Sequence, residues 1–118
     1  MNSKKILEEQ IIMAIKTVED PEIPVNIYEL GLIYDIDIKD EIVWEGSMVH
    51  AVEIEMTLTS PNCPVAESLP EEVRTKVANL AGVYECKVNI VFDPPWGKEY
   101  MSEEALLELG MLWKKKNI

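Results

Sequence analysis

The chain has 118 residues, 47% of them hydrophobic, with 22 acidic and 11 basic side chains and a formal net charge of −11. This length fits one domain, residues 1–118, with a sizeable core. The negative charge argues against nucleic acid as a partner because it repels phosphate, and no apolar run reaches the ~18 residues that a membrane span needs. The N-terminus lacks the apolar core of a secretory signal, so we expect a cytoplasmic protein.

The first predicted element is a helix over residues 3–18, because apolar residues recur at helical spacing and charged residues fill the other face. It should end at Asp20, because a residue before proline avoids helical conformations. The loop that follows, residues 20–31, contains two prolines within four residues. We expect it to be ordered, with one helical turn near residues 27–30 that is closed by Gly31.

Two strands should follow the loop. Residues 34–38 and 52–58 alternate apolar and polar side chains, which is typical of strands with one face toward a core and one toward water. Segment 40–51 lies between them. Its pattern is compatible with a flared hairpin end or with extensions of both strands.

A loop around Cys63 leads into a helix predicted over residues 64–80, in which Pro70 marks either a kink or a later helix start. A third strand over residues 83–92, a second proline-rich loop and a last helix capped by Ser102 complete the chain. The order is α-β-β-α-β-α. A strand–helix–strand step favours a right-handed crossover. We therefore predict an α/β (α+β) fold, a two-layer sandwich with helices on one face of a small mixed sheet.

The two cysteines occupy different settings. Cys86 belongs to the apolar set of the third strand, which predicts a buried thiol. Cys63 lies in the turn-rich string SPNCP, and Pro64 is favoured in a first helical turn, so Cys63 falls at or beside a helix N-cap. Unpaired N–H groups and the helix dipole favour thiolate there, the form that binds metal. The alternative is a cysteine that merely replaces a serine-type cap.

The sequence lacks the common enzyme and metal signatures: Cys-x-x-Cys, a glycine-rich phosphate loop and His-Glu-x-x-His. One thiol is too few to enclose zinc or an iron–sulfur cluster, which typically take four ligands. A cluster at Cys63 would need a second chain, a partner or a small thiol. The only histidine, His50, is expected at the surface of a strand edge, although a Cys63–His50 catalytic pair is an option.

The acidic loop is a second candidate site. Asp20, Glu22 and Glu29 lie beside prolines that restrict the backbone. The alternative is an ordinary turn with solvated carboxylates, because Asp before Pro is common in turns.

Three separated strings carry a resemblance to a known family: DPEIPVNIYELGLIY at residues 20–34, MTLTSPNCP at 56–64 and VFDPPW at 91–96. The segment from MSEEA at 101–105 to LG at 109–110 fits as well. The chain closely resembles the domain-of-unknown-function-fifty-nine family of iron–sulfur cluster assembly factors, whose members include SufT, PaaD and the eukaryotic cytosolic iron–sulfur targeting factors. The resemblance covers residues 5 to about 110, and the stand-alone SufT-like type fits best.

The resemblance implies a non-enzymatic accessory role in assembling iron–sulfur clusters or transferring them to client proteins. Its implied partners are an iron–sulfur carrier or scaffold and the clients, with a homodimer as an option, and its implied cofactor is at most a transient cluster, none tightly bound. Cys63 is the implied functional thiol and cluster ligand, shared with a partner or second chain. The implied supporting residues are Asp20, Glu22, Thr57, Thr59, Ser60, Pro61 and Asn62.

Two alternatives remain. One is a PaaD-like maturation component of a multicomponent oxygenase, and the other is a Cys-dependent thiol enzyme. For the favoured function we expect the loop at residues 20–31 to lie beside Cys63, with the Glu22 carboxylate within roughly two strand spacings, about 10 Å, of its sulfur.

Overall fold

The computed structural model of the chain describes residues 3–20, 23–59 and 68–109. The regular elements are α1 (Ser3–Ile15), β1 (Ile33–Trp44), β2 (Ser47–Met56), α2 (Ser68–Ala78), β3 (Val83–Ile90), a 3-10 helix (Lys98–Tyr100) and α3 (Glu103–Glu108). The predicted order is confirmed, with the short 3-10 helix as an addition. None of the described helices is long and apolar enough to cross a membrane.

The sheet has three strands in the order β1-β2-β3. β1 and β2 are antiparallel, whereas β2 and β3 are parallel and are joined through α2. The sheet is therefore mixed, as predicted, because a parallel neighbour requires a crossover connection.

The core lies between the helices and one face of the sheet. Both helices repeat an apolar residue every fourth position, which lines one face of a helix. These side chains form a single buried cluster with alternate residues of β2: Leu7, Ile11, Ile15, Leu69, Val73, Val77, Val52, Ile54 and Met56. Each such side chain contributes about 1.5–3 kcal/mol when it leaves water, so this layer is the main source of stability.

The uncertain segment 40–51 consists of extensions of both strands. β1 and β2 remain paired as far as Trp44 and Ser47, with one register shift between Ile38 and Glu41, and Glu45 (φ 50°) and Gly46 (φ 81°) are the two turn residues. Two successive positive φ angles match the twist of a two-residue hairpin, and glycine adopts them most readily.

Four predicted element ends were wrong. β2 ends at Met56 and not at residue 58, and α2 ends at Ala78 and not at residue 80. α1 ends at Ile15 and not at residue 18, because the Thr17 hydroxyl donates to the Ala14 carbonyl at 2.6 Å and the Val18 N–H donates to Ile15 at 3.0 Å. These bonds to the third preceding residue tighten the last turn and end the helix. β3 ends at Ile90 and not at residue 92, just before the proline-rich loop.

The helix after Cys63 is described from Ser68 onward. Pro70 is the third residue of this described helix, and the choice between a kink and a later helix start depends on residues before Ser68. The predicted stretch 64–67, and with it the placement of Cys63 at an N-cap, lies outside the described residues. At the other end of the chain the predicted cap is confirmed, since the Ser102 side chain accepts a hydrogen bond from the Ala105 N–H.

Candidate functional site

Three of the singled-out sequence strings meet at one end of the sheet. β1 begins there with Ile33, which pairs with Met56 at the end of β2, and Met56 pairs in turn with Ile90 at the end of β3. The chain segments next to these residues, 23–32, 57–59 and 91–97, therefore enter or leave the sheet at the same end of its strands. We call this end of the sheet, with these three segments, the motif end.

The described part of the first loop, Asp20 and residues 23–31, is ordered, as predicted, because it is largely an apolar core element. Val25, Ile27, Leu30 and Leu32 are fully buried. The loop folds on itself through main-chain bonds, including Ile27 N–H to the Val18 carbonyl at 2.9 Å and Leu32 N–H to Ile27 at 3.1 Å. Its contribution to the core was missed in the sequence, where the prolines and carboxylates dominate the pattern.

Gly31 closes this loop at a point of close backbone approach. Its φ is 82°, and an added Cβ would lie 2.3 Å from the Tyr100 carbonyl oxygen. The segment after Tyr100 is also hydrogen-bonded to this loop, since the Ser102 N–H donates to the Glu29 carbonyl at 2.8 Å. Only glycine meets both the conformational and the steric requirement here.

The DPPW segment binds the first loop through side-chain donors. The Trp96 indole N–H donates to the Leu30 carbonyl at 2.7 Å, and the Tyr34 hydroxyl donates to the Pro94 carbonyl at 2.8 Å. The ring of Tyr34 also lies 5.8 Å from that of Tyr100. Desolvation, followed by the charge of Tyr100, raises the pKa of Tyr34, so the hydroxyl remains a donor at neutral pH. Sequence reasoning missed these roles, although the tryptophan in a rigid proline loop was a usable signal.

Asp20 connects the first string to the second. Its carboxylate is buried, with 3% of the residue exposed. Oδ1 accepts from the Ile23 N–H at 3.0 Å, and Oδ2 accepts a long hydrogen bond of 3.5 Å from the Thr59 hydroxyl. This hydrogen bond joins the first string to the threonine-rich second string.

Thr57 was predicted on the wet face of β2, and this was wrong. The residue is 1% exposed, and its hydroxyl has no hydrogen-bond partner of normal geometry among the described residues. The loops of the motif end cover that face locally, which strand alternation alone cannot indicate. A partner for such a buried hydroxyl is worth about 1–3 kcal/mol, and the Tyr34 hydroxyl, whose pKa is raised by burial and lowered to a smaller extent by Thr57, lies close to it.

Several predicted site residues lie outside the described residues: Glu22, Ser60, Pro61, Asn62 and Cys63. The expected distance between Glu22 and the Cys63 sulfur is accordingly still a prediction. Within the described part of the chain, no group of three or more His, Cys, Asp and Glu side chains could hold a metal ion.

Cys86 is buried, as predicted, with 7% of the residue exposed. Burial raises the pKa of its thiol to about 11, against a smaller opposing effect of Arg74. This thiol is therefore protonated at neutral pH and poorly suited to bind metal.

His50 was predicted at the surface, and this was wrong. It is 3% exposed, its Nδ1 lies 2.9 Å from the Lys39 carbonyl oxygen, and its main-chain N–H donates to Gly82. The extended strands and the turn after α2 enclose it. Met56 follows His50 by six positions on β2, roughly 20 Å of strand, so His50 lies away from the motif end.

The fold and the motif end define a small mixed-sheet domain in which three loops converge on one edge. Residues 8–90 match the family model described as iron–sulfur cluster assembly protein. The chain belongs to this family, which confirms the resemblance seen in the sequence.

Individual relatives agree with this assignment. An Fe-S protein maturation auxiliary factor of Porphyromonas gingivalis is 49% identical over 105 residues, which cover 89% of this chain and 92% of that protein. The Fe-S protein maturation auxiliary factor SufT of Staphylococcus aureus is 37% identical over 92 residues, covering 78% and 96%. A crystal structure of a DUF59 domain from Bacillus anthracis superposes with a TM-score of 0.72 at 35% identity, covering 91% of this chain and 94% of that one.

Proposed function

We propose that this chain is an accessory factor in the maturation of iron–sulfur proteins and that it acts through the Cys63 thiol at the motif end. The convergence of the three strings on one sheet edge carries the proposal. Cys63 follows Thr59 by four residues, so the length of the chain keeps its Cα within about 14 Å of the Thr59 Cα. Asp20, which accepts from Thr59, belongs to the same neighbourhood.

The chemistry of the available donors favours a transfer role. A thiolate is a strong ligand for iron, but a single one leaves most cluster positions to other donors. We therefore treat the cluster as cargo that Cys63 holds together with a carrier, a client or a second chain. Glu22, Ser60, Pro61 and Asn62 would support the Cys63 loop, and Asp20, Thr57 and Thr59 would anchor it to the sheet.

The same reasoning favours a protein without a reaction of its own. The curated relatives are named as auxiliary factors, and the histidine that could have served as a base for Cys63 is enclosed elsewhere on β2. We propose that the chain works in the cytoplasm with an iron–sulfur carrier or scaffold and with client proteins.

Complementation tests the role of the thiol. In cells that lack their own maturation factor, Cys63→Ser should fail to restore client iron–sulfur enzyme activity while folding with a stability change within about 1 kcal/mol, because serine is an acceptable helix cap. The matched control is Cys86→Ala, which removes the buried thiol and should restore activity. Full activity with Cys63→Ser would reduce the function to docking alone.

Anaerobic incubation with iron and sulfide tests cluster contact directly. Visible absorption should develop with the wild-type chain and with Cys86→Ala, should disappear quickly on addition of a chelator, and should be absent with Cys63→Ser. Equal absorption in the wild type and both variants would show that Cys63 is not a ligand of the cluster.

A further inference from the structure

We infer that the free edge of β1 is a docking site for an extended protein segment in which basic and apolar residues alternate. Among the described residues β1 pairs with β2 alone. Its register is regular over residues 35–38, between one bulge after Ile33 and another after Ile38. A border strand carries unpaired N–H and C=O groups that can pair with a strand of another protein. We call residues 35–38 the β1 edge segment.

A groove that joins two isoleucines of β1 to charged residues of α1 runs along the helix side of this segment. α1 leaves part of β1 uncovered, and Ile36 and Ile38 line a cleft of about 410 Å³ together with Lys4, Lys5 and Glu8 of α1. A second cleft shares Glu8 and Ile36 with the first and is lined also by Ile12, Tyr28, Ile33, Tyr34 and Asp35. Successive side chains of a strand point to opposite faces. Every second residue of an added strand would therefore enter the first groove, where an apolar side chain would contact Ile36 and Ile38.

The other face of the sheet next to the edge segment is acidic. Asp35 lies directly opposite Glu55, and Asp37 directly opposite Glu53, and like charges in such positions are unfavourable. Lys39 bridges the second pair, at 2.7 Å from Asp37 and 3.3 Å from Glu53.

No cation bridges the first pair in the part of the chain that the structure describes, and both of its members, Asp35 and Glu55, are exposed. An added strand would place its remaining side chains beside Asp35. A lysine or arginine there would bridge Asp35 and Glu55, as Lys39 bridges Asp37 and Glu53. The charge of this face thus favours basic residues at every second position of the segment, and the groove favours apolar residues at the positions between them.

The same charges disfavour a second copy of the chain as the occupant. Edge-to-edge pairing of two β1 strands would bring further copies of Asp35 and Asp37 onto one face, in a chain whose net charge is −11. The flanking bulges also limit a regular ladder to a few residues, and acidic, bulged edges resist self-association. We therefore assign the edge to a short basic strand of a different protein.

A synthetic seven-residue peptide that alternates lysine and valine, with blocked termini, is the probe. Calorimetric titration of the full chain should detect binding, and amide hydrogen exchange should show protection of residues 35–38. A peptide with glutamate in place of lysine should bind at least tenfold more weakly. A peptide of the same composition with its lysines grouped at one end should also lose binding, because it cannot satisfy both faces.

Variants locate the contact. Asp35→Asn and Glu55→Gln should each weaken binding roughly threefold, the effect of an exposed ion pair. Ile36→Thr keeps a β-branched residue but removes apolar contact, and should weaken binding roughly tenfold. Glu85→Gln is the matched control, since Glu85 is an exposed carboxylate on β3, the opposite border of the sheet, and its replacement should change binding little. Far-UV circular dichroism confirms that each variant folds.

Three results would overturn the inference: no protection of residues 35–38, equal binding of the glutamate peptide, or a dimer that protects this segment without peptide. The last would assign the edge to a second copy. Cys63→Ser should bind the peptide as the wild type does. Failure of the docking site and failure of the thiol proposal are therefore separable.

Discussion

At the motif end of the sheet, side-chain donors and main-chain carbonyls join segments that lie 60 and 66 residues apart in the chain. At the opposite end, β1 and β2 continue as a hairpin whose turn residues Glu45 and Gly46 follow one another. Val43 is 69% exposed and Met48 58% exposed in that hairpin. One end is therefore joined by hydrogen bonds between remote segments, and the other by local pairing of exposed strands.

This difference indicates where the molecule is sensitive to substitution. A donor such as Trp96 satisfies a buried carbonyl that has no access to water, so its loss leaves an unpaired group. An exposed hairpin side chain loses little when it is shortened, because water replaces its contacts. Equivalent substitutions at the two ends should consequently lower the free energy of unfolding by different amounts.

The largest contrast is expected between two glycines with nearly equal φ angles, Gly31 at 82° and Gly46 at 81°. Gly31→Ala should lower the free energy of unfolding by about 4 kcal/mol or more, because its Cβ meets the Tyr100 carbonyl. Gly46→Ala has no atom within 4 Å of its Cβ and should cost only about 1–2 kcal/mol, the cost of a left-handed conformation. Urea unfolding measures both. Equal losses would show that the loop at the motif end relaxes around the added methyl group.

The next effect concerns Cys86, in the strand that links the two ends. Its pKa is raised to about 11, so the folded state holds the thiol proton more tightly than the unfolded chain, where the pKa is about 8.5. The contribution of this proton to the free energy of unfolding is fully present below pH ~8.5 and is lost as pH rises toward 11. It should reach about 3 kcal/mol. The alkaline loss of unfolding free energy should be smaller by this amount in Cys86→Ala, and an unchanged profile would contradict the assignment.

A smaller effect tests the indole hydrogen bond. Trp96→Phe keeps an aromatic ring but leaves the Leu30 carbonyl without the donor now at 2.7 Å. We expect a loss of about 1.5 kcal/mol in unfolding free energy. Val43→Ala in the exposed hairpin is the comparison, with an expected change within about 0.5 kcal/mol. Calorimetric or urea unfolding of the two variants side by side decides whether the contrast between the ends holds for side chains as well as for glycines.

The smallest effect concerns the cap of α3. The Ser102 hydroxyl accepts from the Ala105 N–H at 3.2 Å, so Ser102→Ala should cost about 1 kcal/mol, whereas Ser102→Asn, an equally good cap, should cost almost nothing. Thermal unfolding followed by circular dichroism measures both. A loss in both variants would point to the packing of Ser102 and not to its capping bond.

Most of the element order could be predicted from the sequence because it depends on local periodicity. Three local patterns carried the prediction, and each involves neighbours in the chain. They are the apolar residue at every fourth position of α1 and α2, the alternation in β2 and the cap at Ser102. The burial of Cys86 followed from the same alternation. The family was also recognisable from three short strings in a fixed order, and the match over residues 8–90 confirms it.

The sequence could not predict which groups the loops cover. Thr57 alternates with the buried residues before it but is 1% exposed, because distant segments cover it. His50 has the same spacing as the buried Val52, Ile54 and Met56 and is 3% exposed, but this became visible only once β2 was known to extend to Ser47. Gly31 was recognisable as a loop end, but its contact with Tyr100 depends on where a segment almost 70 residues later passes. The chain by itself determined its helices, strands and family. Tertiary structure alone decided that the three strings meet at one edge, because that meeting is made by hydrogen bonds and packing between residues that are remote in sequence.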